Sequence, residues 1–288
     1  MNVPPAWTPP FKSHLVLDER IKDATIRAYY VGFDQKVFRL KNLASVITDV
    51  IPEFAVGVYQ GSGVPINELV PRLREAAKKV YTTEKYQKRG EFGELILHLL
   101  LRDFMRSIPL ISKIHFKDAD NAIIHGFDGV HVVIDNGQKE LWLGESKLYD
   151  SGTKGIASLL GDLEKHLKAD YLRREFALVT TKLPQSNADI EFWREQLHEH
   201  QKLETILDRM CIPMVCTYTS TVFQDYDDNT AACYAAFEKE CHELHEVFAK
   251  GVTNQSLKVD IVLLLLPVQS KPKLVDELHA RLKAMQTL

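Results

Sequence analysis

Two apolar runs meeting at Asn136-Gly137 constrain this chain more than any other feature. Asn-Gly between hydrophobic runs is the strongest short-range signal for a two-residue type I′ hairpin. With that turn in place, Asp135 pairs with Gln138, and counting outward sets Asp128 opposite Glu145. Side chains alternate, so one face carries Asp128, Val130, Val132 and Ile134 beside Leu141, Leu143, Glu145 and Lys147. That face is apolar for most of its length and ends in two carboxylates and a lysine.

Directly opposed like charges destabilise an antiparallel pair, and acids beside a buried aliphatic face raise the desolvation cost. A divalent cation removes both objections: hard oxygen ligands on neighbouring strands hold Mg²⁺ while waters complete its shell. The same oxygen set accepts Mn²⁺. Lys147 would lie near a metal-bound water or a phosphate. Two carboxylates, a lysine and a metal suit phosphodiester hydrolysis, in which the metal generates hydroxide and offsets charge on phosphorus. The plainer alternative is a solvated hairpin end where Lys147 neutralises one acid.

A formal net charge of −3 is not that of a protein that finds nucleic acid by bulk electrostatics. Any grip on DNA must be local or supplied by a partner. Cys211, Cys216, Cys233 and Cys241 form no C-x-x-C pair and read as reduced, mostly buried thiols. No apolar run approaches the length of a membrane span, and the proline-rich start does not resemble a signal peptide. We therefore expect a cytoplasmic protein with no membrane association.

Along the chain, residues 1–10 read as an extended arm, with strands over Thr25–Val31 and Lys36–Leu40. Leu43–Ile51 fits a short helix or a strand, and Val56–Tyr59 a strand ending in a Gly61-Ser62-Gly63 turn. Ile66–Val80 reads as a helix. Thr83–Arg106 carries the clearest helical stripe, Phe92, Leu95, Ile96, Leu99, Leu100 and Phe104. Glu91 and Glu94 are neighbours on one side near its start, where acids suit the helix dipole without any further role. Lys85, Lys88 and Arg89, beside Tyr86, are the best local candidates for a phosphate grip, or else a solvated helix start.

A strand over Ile108–Phe116, a turn over Lys117–Asn121 and the hairpin follow. Next we expect a Ser151–Gly155 loop, a helix from Ile156 to about Lys168, and a strand over Phe176–Thr181. A long helix over Ala188–Arg209 and a strand over Ile212–Thr219 lead to an acidic loop at Asp225–Asn229. A helix over Thr230–Lys250, a buried strand over Val259–Val268 and a helix over Lys273–Met285 close the chain. Strands alternating with helices argue for an α/β sheet covered on both faces. His198, His200, Cys241, His242 and His245 match no common zinc spacing. His125 and His131 flank Asp128, but parity points His131 to the opposite face.

The α-β-β-β-α-β order, with Gly-Phe-Asp opening one strand and Gly-Glu-Ser-Lys ending the next, resembles the PD-(D/E)XK nuclease superfamily. Phe127 stands where the superfamily name has proline. The resemblance implies a restriction-endonuclease-like core. In it Asp128 and Glu145 are metal ligands, Lys147 positions or activates the attacking water, and Glu91 or Glu94 completes the metal shell or fixes a water, Glu94 being the metal-ligand candidate.

Arg-Gly-Glu-Phe-Gly-Glu-Leu at 89–95, Ile-Pro-Leu-Ile-Ser-Lys at 108–113, His-Gly-Phe-Asp-Gly-Val-His at 125–131 and Leu-Gly-Glu-Ser-Lys at 143–147 resemble the HamA family. Ile-Val-Leu-Leu-Leu-Leu-Pro at 261–267 fits as well. This resemblance implies a Mg²⁺-dependent DNA nuclease of the Hachiman anti-phage defence system, held inactive by a HamB-type helicase. We accordingly expect an N-terminal α+β region over residues 1–80, a candidate for partner docking or autoinhibition, and a nuclease domain over 81–288. The rival readings are a non-catalytic adaptor on a nuclease-like fold and an RNase.

Overall fold

The computed structural model describes residues 11–56, 65–81, 90–112, 126–135, 137–183, 188–253 and 259–288. A seven-stranded mixed sheet runs in the order β1 (Asp18–Lys22), β2 (Ile26–Tyr30), β9 (Asp260–Val268), β8 (Met210–Thr219), β7 (Gln138–Tyr149), β6 (Gly129–Asp135) and β5 (Ile108–Ser112). β2, β9, β8 and β7 pair in parallel, while β1, β6 and β5 add antiparallel margins. Parallel strands covered on both faces read as continuous apolar runs. Accordingly, Met210–Tyr218 and Val262–Val268 are buried throughout. β3 (Phe33–Asp34) and β4 (Val37–Phe38) form a small separate ladder.

Helices cover both faces. Between the sheet margin and the hairpin come α1 (Leu40–Asp49), α2 (Ile51–Val56), α3 (Ile66–Val80) and α4 (Glu91–Met105). After β7 come α5 (Gly152–His166), α6 (Ala169–Lys182), α7 (Ala188–Gln196) and α8 (Leu203–Leu207). α9 (Val222–Asp225) and α10 (Ala231–Val252) follow β8, and α11 (Lys271–Gln286) ends the chain. α4 packs over β6, β7 and β8 beside α1, while α5 packs over β7 and β8 beside α10. The core α4-β5-β6-β7-α5-β8 is the expected α-β-β-β-α-β arrangement.

α4 docks through a close fit. Leu97 wedges against Gly144 and Gly129, whose positions would put a Cβ 2.8 Å and 3.5 Å from its Cδ2. Gly93 meets Ser146 in the same way, at 3.0 Å from its Oγ. The helix therefore lies directly on the backbone of the hairpin, which a side chain at Gly144 would prevent.

Several local expectations give way to tertiary context. Phe176–Thr181 is helical within α6, and Leu172, Phe176, Val179 and Leu183 are the buried stripe at helical spacing. β8, not Phe176–Thr181, is the last strand of the core. The expected Ser151–Gly155 loop is the first turn of α5, capped by Ser151 accepting the Lys154 N–H. Gly155 is there for packing, since a Cβ would sit 2.5 Å from Cys216 Sγ.

The Ala188–Arg209 helix breaks into α7 and α8, with Arg173 Nη1 holding the Glu199 and Gln201 carbonyls between them. Leu43–Ile51 is mostly helical, as α1, and Lys36–Leu40 yields only the two-residue β4. Val56 ends α2, while the expected strand and turn beyond it lie outside the described residues, as do the Lys117–Asn121 turn and His125.

On the α4 side of β6, His131 is 1% exposed, its Nδ1 lying 2.8 Å from Ser107 Oγ and its ring 5.3 Å from that of His98. Burial, then the charges of His98 and Arg102, push its pKa well below the ordinary histidine value. The unfolded chain takes up this proton near pH 6.5 while the folded chain resists it. Stability from this group is therefore complete above about pH 6.5 and lost as pH falls below it. Melting temperature should drop between pH 7.5 and 5.5, and His131→Asn should flatten that slope. Identical slopes in a calorimetric pH series would assign the loss to another group.

Candidate functional site

The hairpin has the register that the turn dictates: Asp135 pairs with Gln138, His131 with Trp142 and Gly129 with Gly144. Gly137 has φ +81°, a conformation glycine adopts without strain; Asn136 lies outside the described residues. Val130, Val132, Leu141 and Leu143 are buried on one face, whereas Ile134 near the turn is 37% exposed. His131 points to the opposite face, against His98 of α4.

The ladder ends at Gly129–Gly144, and the chain then shifts. The Asp128 N–H donates to the Gly144 carbonyl at 2.8 Å. Its Oδ2 accepts the Ser146 N–H at 2.9 Å and the Ser146 hydroxyl at 2.7 Å. Asp128 thus continues the hairpin pairing beyond the ladder through its side chain. Asp128 and Glu145 are both buried, at 5% and 4% exposure.

Glu145 and Lys147 face α5. The Lys147 ammonium lies 2.7 Å from Glu145 Oε1 and 2.7 Å from Asp162 Oδ2. Burial would lower the Lys147 pKa, but the Glu145 charge and hydrogen bonds to Asp162 and Glu145 outweigh it and raise it above the usual lysine range. Burial likewise works to raise the Asp162 pKa, and the Lys147 and Lys165 partners bring it below the ordinary value. One turn further along α5, His166 Nδ1 lies 3.9 Å from Glu145 Oε2, its ring stacked on Tyr171 and tilted against Phe127.

The structure therefore brings Asp128, Glu145 and Lys147 to one mouth. Glu91 and Glu94 are both 5% exposed in the first turn of α4. At about 100° per residue, Glu94 flanks the sheet-facing Gly93, while Glu91 lies about 160° away on the far side. Lys85, Lys88 and Arg89 lie outside the described residues.

Among the described residues no group of three or more His, Cys, Asp and Glu side chains is gathered to hold a metal. His198, His200, His242 and His245 do not form one, nor does Glu94 join Asp128 and Glu145 in a ready cluster. The two hairpin carboxylates alone are hard oxygen donors of the kind Mg²⁺ takes in ones or twos, with water completing its shell.

Sequence reasoning missed Ser146, Asp162 and His166. Their only trace in sequence is Ser146 between Glu145 and Lys147 and the i, i+4 spacing of Asp162 and His166 on the helix after β7. Among the described residues no helix is long and apolar enough to cross a membrane.

Comparison with curated proteins returns no match. A family model described as HamA matches residues 9–282 of the 288. The match takes in the edge strands, the hairpin and most of the closing helix together, so the chain belongs to the HamA family, a component of Hachiman anti-phage defence.

Proposed function

We propose that this chain is the metal-dependent deoxyribonuclease of its defence system, hydrolysing phosphodiester bonds at the β6–β7 mouth. The observation that carries this reading is the convergence of two buried carboxylates and one lysine at the carboxyl end of β7. Ligand sites of open α/β sheets lie beyond the carboxyl ends of their strands.

Each side chain has a task that its surroundings support. Asp128 is held in orientation by two Ser146 donors on one oxygen. Glu145 presents a second oxygen donor from the neighbouring strand. Lys147 stays protonated beside it, so it acts as a fixed cation and hydrogen-bond donor to the strained phosphate or its water, not as a base.

Asp128 and Glu145 would hold Mg²⁺ or Mn²⁺, with Glu94, next to the sheet-facing Gly93, as the helix acid of the set. Bound there, the ion supplies an activated water and offsets charge on phosphorus. The satisfied Lys147–Glu145–Asp162 ion pairs favour one rival, an adaptor in which they merely close the hairpin.

A near-neutral chain without a nucleotide-loop motif fits a partner, a HamB-type helicase, that loads the DNA. Plasmid DNA and RNA should be incubated with Mg²⁺ and the protein, alone and with the neighbouring helicase. DNA loss that depends on helicase supports the reading. Loss of RNA alone makes it an RNase, and intact substrates with the assembled complex make it an adaptor.

Residues 1–80 supply the docking region in this reading. Within them α3 exposes Ile66, Leu69 and Val70 at i, i+3 and i+4, a stripe suited to a partner surface. Ile66→Glu with Leu69→Glu should abolish helicase co-purification while leaving the melting temperature unchanged. Unaltered co-purification would move docking elsewhere.

A further inference from the structure

We infer that Asp162 is a positioning residue for the reaction, setting where the Lys147 ammonium points; this rests on the nuclease reading above. Lys147 is a point charge on a flexible four-carbon stem, so its own backbone does not decide where its head lies. Glu145, two residues away on the same strand and face, anchors it at 2.7 Å. A single anchor leaves the head free to swing about that one oxygen. Asp162 adds a second anchor at 2.7 Å from a different element, which turns a contact into a fixed direction.

The elements make this anchor rigid. α5 begins two residues after β7, is capped by Ser151, and rests on the sheet with Gly155 against Cys216. Cys216 is the β8 partner of Lys147 in the parallel ladder, so α5 seats on the residue beside the lysine it holds. Asp162 comes two turns later on the same helix, 23% exposed at its side chain against 19% for Lys147. Its second oxygen takes Lys165, an exposed lysine 3.1 Å away, so the first oxygen is left to Lys147. Asp162 is a positioning residue: its role runs through Lys147.

The chemistry demands such precision, because a displacement of about 1 Å in a group stabilising a transition state can cost roughly 100-fold in rate. Asp162→Ala, assayed in the assembled complex on plasmid DNA, should lower turnover about 10- to 100-fold, with the half-saturating DNA concentration changed less than about two-fold. Asp162→Asn, which keeps an oxygen for Lys147 but not the charge, should fall between. Lys165→Ala should match wild type. In the Lys147→Ala background, Asp162→Ala should cause no further loss, as expected of residues acting as a unit.

If Lys147→Ala is inactive while Asp162→Ala turns over like wild type, the inference fails and the nuclease reading stands. If Asp162→Ala instead raises the half-saturating DNA concentration at unchanged turnover, Asp162 serves binding and the inference fails. If wild-type complex cleaves no DNA, the nuclease reading falls and takes the inference with it.

Discussion

Glu145→Gln, Asp128→Asn and Lys147→Ala, each assembled with the helicase, should lower DNA cleavage by about three orders of magnitude or more. The first two keep shape and hydrogen-bonding oxygens while removing a charge. An asparagine at 128 can still accept both Ser146 donors on its single oxygen, so the pairing beyond the ladder should persist. A glutamine at 145 can still accept the Lys147 ammonium. These two variants should therefore melt near wild type, and their loss of rate would report chemistry.

Lys147→Ala is different, because it removes the shared counter-charge of Glu145 and Asp162 and should lower stability as well. Lys147→Met, which retains the packed stem, isolates the charge. Initial cleavage rates with Mg²⁺, read beside melting curves, make the test. Cleavage by Glu145→Gln within ten-fold of wild type would remove the hairpin from the chemistry.

The largest expected loss of stability lies away from the mouth, at Arg102 on α4. Its Nη1 lies 2.8 Å from Glu53 Oε2 of α2, and its Nε bonds Asp103. His98 Nε2 holds the other Glu53 oxygen at 2.9 Å, and the Ser13 hydroxyl donates to Asp103. This cluster ties the turn at Lys12–Leu15 and α2 to the helix that lies on the hairpin.

Burial would raise the Glu53 pKa, yet His98 and Arg102 bring it below the ordinary value. Arg102→Ala leaves buried Asp103 and part-buried Glu53 without their shared cation, a change that costs about 3–5 kcal/mol. The melting temperature should fall by roughly 10 °C. Arg102→Lys should fall part-way, because an ammonium cannot reach both acids in the guanidinium geometry. A shift under about 2 °C would mean that the acids find water or protons at no cost.

Local chemistry settled the most about the hairpin. An Asn-Gly turn sets register and period-two alternation sets faces, so the shared side of Val130, Val132, Leu141, Leu143, Glu145 and Lys147 was legible. Both rules act within about twenty residues and need no knowledge of the rest of the chain. The stripe of α4 and the unbroken apolar runs of β8 and β9 were readable for the same reason.

Other features depend on partners far away in sequence. Ile26 pairs with Leu263, and no local pattern names a strand partner that lies so far along the chain. Phe176–Thr181 is short and apolar enough for either period, and packing of its helical stripe chose helix. The Ala188–Arg209 segment has no proline or glycine to break it, and Arg173 reaching in from α6 holds the break.

The turn of Asp128 toward Ser146 and the arrival of Asp162 at Lys147 belong to this second kind. Each follows from how α4 and α5 seat on the sheet, a matter of burial and close contact among residues that no short window contains.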